Sequence, residues 1–184
     1  MTKIAVFGGS FDPPHIGHLQ IIQKALERLD IERLFILPTF LNPFKTHSLF
    51  SPQKRLEWLE KIKTQEKSSK KITILDFEIK QNKATPTIKS INYIKQTYNP
   101  THIYLLIGAD NLAKLPLWDS YALLKNMVEF VIIARENFII PENFKILECE
   151  KIFISSSEIR NLLAKKDKKA LDFIPKILHD DFKL

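Results

Sequence analysis

The chain has 184 residues, 45% hydrophobic and 27% charged, with a formal net charge of +7. That composition suits one buried core and excludes wholesale disorder. The single cysteine, Cys149, excludes an internal disulfide framework and a cysteine-based zinc cluster, and no apolar run nears the ~20 residues of a membrane span.

Apolar runs alternate with helical patterns along the chain. Ile4-Ala5-Val6-Phe7 predicts a first strand, and Ile16, Leu19, Ile22, Leu26 and Leu29 a helix after it. Leu34-Phe35-Ile36-Leu37 predicts a second strand, closed by Pro38 and followed by a loop over 39–50. Ser51-Pro52 reads as an N-cap with proline at the first helical position, and Leu56, Leu59 and Ile62 give that helix an apolar face. Ile72, Ile74 and Phe77 suggest a third strand. Ile88, Ile91, Ile94 and Tyr98 suit a helix starting after Pro86, and residues 103–107 a fourth strand ending at Gly108. A short helical stretch over 117–124 leads to a fifth strand at 130–134. A last strand is expected at 152–154, with helices near 158–164 and 168–179.

Strand–helix alternation of this kind predicts an α/β fold, a Rossmann-like parallel sheet with helices on both faces. Residues 1–184 read as one domain, with a small helical C-terminal part from about residue 156. Such sheets bind ligands outside the C-terminal ends of their strands. Three segments fall there: 8–18, 108–118 and 154–160. Only four glycines are present, and Gly8, Gly9 and Gly17 lie within ten positions. Glycine serves where backbone turns sharply or approaches a ligand, which directs attention to the first segment.

That segment reads Gly8-Gly9-Ser10-Phe11-Asp12-Pro13-Pro14-His15-Ile16-Gly17-His18. It has neither P-loop nor dinucleotide-fingerprint spacing. It does join a strand to a helix N-terminus, where free N–H groups favour phosphate. His15 and His18, three apart, share one side of the first turn. Their residue types leave three uses open: one histidine in a structural hydrogen bond with the other on the surface, a metal pair lacking a nearby third ligand, or donors to a polyphosphate.

The eleven residues resemble the Gly-Gly-Ser/Thr-Phe-Asp-Pro-x-His-x-Gly-His motif of adenylyltransferases in the nucleotidyltransferase superfamily. Ile154-Ser155-Ser156-Ser157-Glu158-Ile159-Arg160 resembles that superfamily's Ile-Ser-Ser-Thr/Ser-x-Ile-Arg element. Ile107-Gly108-Ala109-Asp110-Asn111-Leu112, with Leu117-Trp118, is similar to the nicotinate mononucleotide adenylyltransferases. Residues 38–45 resemble that family's Pro-Pro-His-Lys loop, with Lys45 matching the lysine, Phe44 in place of the histidine and Asn42 in place of the first proline. Residues 85–90 resemble its threonine pair, with Thr87 at the first position and Ser90 at the second.

The resemblance implies the nucleotidyltransferase fold and transfer of AMP from ATP to nicotinate mononucleotide, giving deamido-NAD and pyrophosphate, with Mg²⁺ accompanying ATP and no protein metal site. It implies that His15, His18, Lys45 and Arg160 act on the phosphates. Gly8, Gly9, Ser10, Phe11, Gly17, Ser155, Ser156, Ser157, Gly108 and Asp110 would bind ATP. Thr85, Thr87, Asp110 and Trp118 would meet the acceptor, with Trp118 stacking on the pyridine ring. Asp12 reads as a residue that holds the turn together. A phosphopantetheine-type acceptor and a non-catalytic nucleic-acid-binding module are the competing readings. Asp110 and Trp118 oppose the first; the paired motifs oppose the second. The +7 charge is spread over 23 lysines and 5 arginines with no aromatic-interleaved patch, so no nucleic-acid partner is expected. No membrane partner is expected either. The short run before Gly8 lacks a signal-peptide core, so a cytoplasmic location is expected, with the oligomeric state open.

Overall fold

A computed structural model describes residues 2–42, 47–135, 138–149 and 154–182. The strands are β1 (Lys3–Gly9), β2 (Arg33–Pro38), β3 (Ile72–Ile74), β4 (His102–Gly108), β5 (Glu129–Ile133) and β6 (Lys145–Leu147). They form one sheet in the order β3-β2-β1-β4-β5-β6, and every neighbouring pair is parallel. The chain runs outward from β1 through β2 to β3, then crosses back to β4 and runs outward the other way. The strand order therefore switches between β1 and β4, which leaves a crevice at their C-terminal ends.

The central strands read as unbroken apolar runs because both faces are covered. Alternate residues feed opposite cores. Ile4, Val6, Phe35, Leu37, Ile103, Leu105 and Ile107 pack against Ile88, Ile91 and Ile94 of α4 (Thr87–Tyr98). Ala5, Phe7, Leu34, Ile36 and Leu106 pack on the other face against Ile21, Ile22 and Ala25 of α1 (Ile16–Arg28). A third cluster joins Trp58 and Ile62 of α2 (Pro52–Gln65) to Ile159 of α6 (Ser156–Ala164) and to Ala170, Ile174, Leu178 and Phe182. Lys54 and Lys61 of α2 each meet the Asp181 carboxylate at 2.7 Å, fixing the C-terminal segment to that helix. Their bonds hold Asp181 down at about 2.

Several boundaries differ from the sequence expectation. Phe77 does not extend β3; it opens the one-turn helix α3 (Phe77–Lys80). Residues Ala109–Leu117 form a 3-10 segment, and only Tyr121–Leu124 (α5) is α-helical in the stretch expected before β5. The sixth strand is Lys145–Leu147, three residues at the sheet edge with Lys145 exposed, a common way to blunt an edge. The expected strand at 152–154 has residues 152 and 153 outside the described residues, and Ile154 leads irregularly into α6. The expected helix at 168–179 is two 3-10 segments, Lys168–Phe173 and Lys176–Asp181. Pro175 interrupts it, since proline has no N–H to continue a helix. Among the described residues no helix is long and apolar enough to cross a membrane.

Candidate functional site

A cleft of about 1100 Å³ opens at the switch point between β1 and β4. Gly8, Gly9, Ser10, Phe11, His15, Gly17 and His18 line one part of it, supplied by the end of β1 and the start of α1. Thr85, Thr87, Gly108, Asp110 and Trp118 line another, with Ser155 and Ser156 from the start of α6 also in the wall. Because α1 and α4 cover opposite faces of the sheet, the cleft straddles the strand ends, and one ligand can reach both helix N-termini.

The two histidines build the start of α1 themselves. His15 is its N-cap, and its Nδ1 accepts the Gly17 N–H at 3.1 Å. His18 Nδ1 reaches back to accept the His15 N–H at 3.2 Å. Histidine thus fills both places of a capping box usually made by Ser/Thr and Glu/Gln. Because each Nδ1 is an acceptor, the ring proton sits on Nε2, a donor suited to phosphate oxygen. The rings lie 3.8 Å apart, and His18 packs 4.8 Å from Phe11. Burial, and secondarily the positive charge of Arg135, lowers His15 to about 4, so it is neutral at pH 7. The turn's left-handed residue is Phe11 (φ 49), not a glycine. Gly9 permits close packing instead, since a Cβ there would press on the Phe11 ring at 3.2 Å.

Three polar side chains brace this turn from behind. Arg55, fully buried on α2, donates to the carbonyls of Ser10 (2.6 Å), Thr39 (2.8 Å), Phe40 (2.8 Å) and Phe50 (3.2 Å). Asp12 accepts the backbone N–H groups of Leu49 and Phe50 at 3.0 and 2.9 Å, so it ties the turn to a loop distant in sequence. Arg160 donates to the Asp12 carbonyl and the Ser157 hydroxyl, both at 2.8 Å. Arg160 thus joins α6 to the turn, and neither it nor Ser157 is among the cleft-lining residues. Ser155 caps α6 through a box with Glu158, and Ser156 donates to the Pro13 carbonyl at 3.3 Å, drawing the start of α6 against the β1–α1 turn. Lys45 lies outside the described residues.

At the other end, α4 begins with no side-chain cap on its first turn. Thr87 is its first residue, half-buried, and the Thr85 hydroxyl is turned to the Lys83 carbonyl at 3.1 Å. Trp118 Nε1, Glu78 Oε2 and Thr39 Oγ1 are buried atoms without a hydrogen-bond partner, and all three residues line the cleft. Buried polar groups are normally satisfied, so three such atoms around one cleft point to a polar ligand. Asp110 pairs with Arg135 at 3.2 Å across Gly108, where a Cβ would collide with the Asp110 carboxylate.

Sequence reasoning missed Arg55, Glu78 and Arg135. Arg55 had a signal: it falls in helical register with the buried Trp58, Leu59 and Ile62, one of five arginines in a lysine-rich chain. Arg135 follows a strand end, and Glu78 carried no motif. Among the described residues no group of three or more His, Cys, Asp or Glu side chains stands together to hold a metal ion.

Residues 6–162 match the family model described as cytidylyltransferase-like. The chain is 48% identical over 161 residues to a Campylobacter jejuni protein named "Probable nicotinate-nucleotide adenylyltransferase", covering 88% of this chain and 87% of that one. It is 42% identical over 158 residues to the protein of the same name from Nitratiruptor, covering 86% and 87%. Among solved structures it is similar to Plasmodium falciparum nicotinic acid mononucleotide adenylyltransferase complexed with NaAD. The TM-score is 0.82 at 24% identity, covering 100% of this chain and 99% of that one.

Proposed function

The chain belongs to the cytidylyltransferase-like family and, within it, to the nicotinate-nucleotide adenylyltransferases, and from that premise we propose how its cleft transfers the AMP moiety of ATP to nicotinate mononucleotide, giving deamido-NAD and pyrophosphate. The acceptor's phosphate oxygen attacks the α-phosphorus of ATP in line, and the bond to the departing pyrophosphate breaks. That nucleophile is already ionised near neutral pH, so no general base or covalent residue is needed. The protein supplies positioning and charge neutralisation.

The observation that carries this assignment is that one cleft is lined both by the β1–α1 turn and by Thr87 and Trp118, from which we infer two unlike ends. At the first, the Nε2–H groups of His15 and His18 donate to triphosphate oxygens over the N-terminus of α1. Keeping His15 neutral suits it to hydrogen bonding, and the fixed positive charge comes from Arg135 in the wall. Arg160 acts by holding the turn at Asp12, and Lys45 adds a cation to the triphosphate. Ser155 and Ser156 bring the start of α6 to the same phosphates. At the second end Trp118 stacks on the pyridine ring. Thr87 and the uncapped first turn of α4 meet its carboxylate, while Thr85 shapes the approach through its own backbone bond. Asp110, held by Arg135 beside Gly108, positions the ribose between the ends.

Mg²⁺ brought by ATP would be held by phosphate oxygens and water rather than by a protein cage and would help neutralise triphosphate charge. The described residues hold no acidic or histidine cluster to serve as a resident cage. Residues 1–184 act in this scheme as one nucleotidyltransferase domain.

Pyrophosphate release with ATP and a panel of acceptors tests this function. Turnover with nicotinate mononucleotide, at a kcat/KM above that with nicotinamide mononucleotide, is expected. Turnover with phosphopantetheine and with neither pyridine mononucleotide contradicts it.

A further inference from the structure

Of the acidic side chains in the cleft wall that the reaction scheme leaves unused, Asp119 is exposed and Glu158 caps α6, whereas Glu78 is buried. It sits on α3, is 4% exposed, and lines the cleft with Thr85, Thr87 and Trp118. Its Oε1 accepts the Ser90 hydroxyl at 2.7 Å, and Ser90 lies one turn beyond Thr87 on α4. Its Oε2 is buried and has no partner. The first turn of α4 carries no acidic residue and no side-chain cap, so its positive end is uncompensated from within the helix. A carboxyl group buried beneath that turn adds nothing to the local field when neutral and cancels it when ionised.

We propose that Glu78 is a positioning residue that sets acceptor charge selectivity: protonated, it leaves the start of α4 open to an anionic ring substituent, and ionised, it repels that substituent. The inference rests on the functional reading above, since it presumes a pyridine mononucleotide at this end. Proton balance is simple. An anionic acceptor binds the protonated carboxyl form, so at a pH where Glu78 is partly ionised binding takes up a proton from solvent.

Burial raises Glu78 to about 7, opposed only by the Ser90 bond, which lowers it. No charged side chain contributes to that shift. On α3 itself Asp76 and Lys80 pair with each other at 3.0 Å, on α4 Lys89 is exposed, and across the cleft Asp110 is engaged by Arg135. The group that changes charge near neutral pH at this end of the cleft is thus Glu78 itself, with Ser90 as the neighbour that tunes it.

The test is the ratio of KM for nicotinate mononucleotide to KM for nicotinamide mononucleotide, measured with the full chain from about pH 6 to about pH 8.5. The two acceptors share ribose and phosphate, so titration of those groups cancels in the ratio. In the wild type the ratio should rise roughly tenfold across that range. Glu78→Gln, which cannot ionise, should hold the ratio within about twofold at all pH values. Ser90→Ala removes the bond that favours the ionised form, so its rise should move to higher pH. It also carries the test should Glu78→Gln fail to fold. A flat wild-type ratio, a wild-type slope in Glu78→Gln, or an unmoved rise in Ser90→Ala overturns the proposal. A merely structural role would raise both KM values together with no change in the pH profile. Turnover with neither mononucleotide would instead overturn the functional reading, and this inference with it.

Discussion

His15 and His18 spend their Nδ1 atoms on the backbone of their own turn, and this fixes what their other nitrogens can do. With both Nδ1 atoms accepting backbone N–H groups, the ring protons are left to Nε2, and we propose that the pair serves as hydrogen-bond donors to phosphate. Neutrality has a cost in acid. His15 is lowered to about 4 in the folded chain against an ordinary value of 6.5, chiefly by burial. Below 6.5 the unfolded chain takes up this proton and the folded chain does not, so stability is lost as pH falls from there toward 4. Denaturant titrations across that window should show a loss on the order of 2–3 kcal/mol in the wild type that is absent in His15→Gln. An equal acid slope in both proteins would contradict the buried, neutral assignment. The alternatives that the sequence left open for these rings were separable only by the capping geometry, because a three-residue spacing says nothing of which nitrogen faces the backbone.

Among the elements, α2 shows how a helix remote from the chemistry can shape it. Its buried stripe is Arg55, Trp58, Leu59 and Ile62 rather than a wholly apolar row, and Leu56 is only half-buried. Arg55 satisfies four carbonyls from three separate stretches: Ser10 in the β1–α1 turn, Thr39 and Phe40 after β2, and Phe50 before α2. Its guanidinium fork suits that array, and a lysine would not span it. Arg55→Ala should lower unfolding free energy by about 3–5 kcal/mol, because it strands buried carbonyls, and Arg55→Lys should recover only part. Chemical denaturation midpoints measure both; a near-neutral Arg55→Ala would show that the clamp is dispensable. The element pattern itself was largely legible. Runs such as Ile103 to Ile107 and the spacing of Ile88, Ile91 and Ile94 announce a buried strand and an amphipathic helix directly. The misplacements fall where the signal is short or mixed. Lys145-Ile146-Leu147 is too brief to stand out from its surroundings and becomes a strand through pairing with β5. Phe77 continues the apolar stretch begun by Ile72 and Ile74 but breaks their two-residue alternation, and it stacks on Tyr93 of α4 as the opening residue of α3.

At the scale of the whole molecule, the switch of strand order between β1 and β4 brings residues from positions 6 to 158 to one cleft. Motif spacing drew attention to residues 8–18 and 108–118, which follow β1 and β4 and open a helix or turn. It could not show that Arg160 would turn inward to Asp12, or that Glu78, Arg135 and Arg55 would join the site. Those placements depend on contacts between distant segments. On the function proposed above, the cleft has a phosphate end and an acceptor end with separable duties. Steady-state kinetics of His18→Ala and Trp118→Ala, with nicotinate mononucleotide as the varied substrate, test it most directly. His18→Ala should lower kcat by about 10²-fold with little change in acceptor KM, as loss of a transition-state donor does. Trp118→Ala should raise acceptor KM by about tenfold with kcat largely kept, as loss of stacking does. The reverse pattern, or equal effects of both variants on both constants, would contradict the division of the cleft.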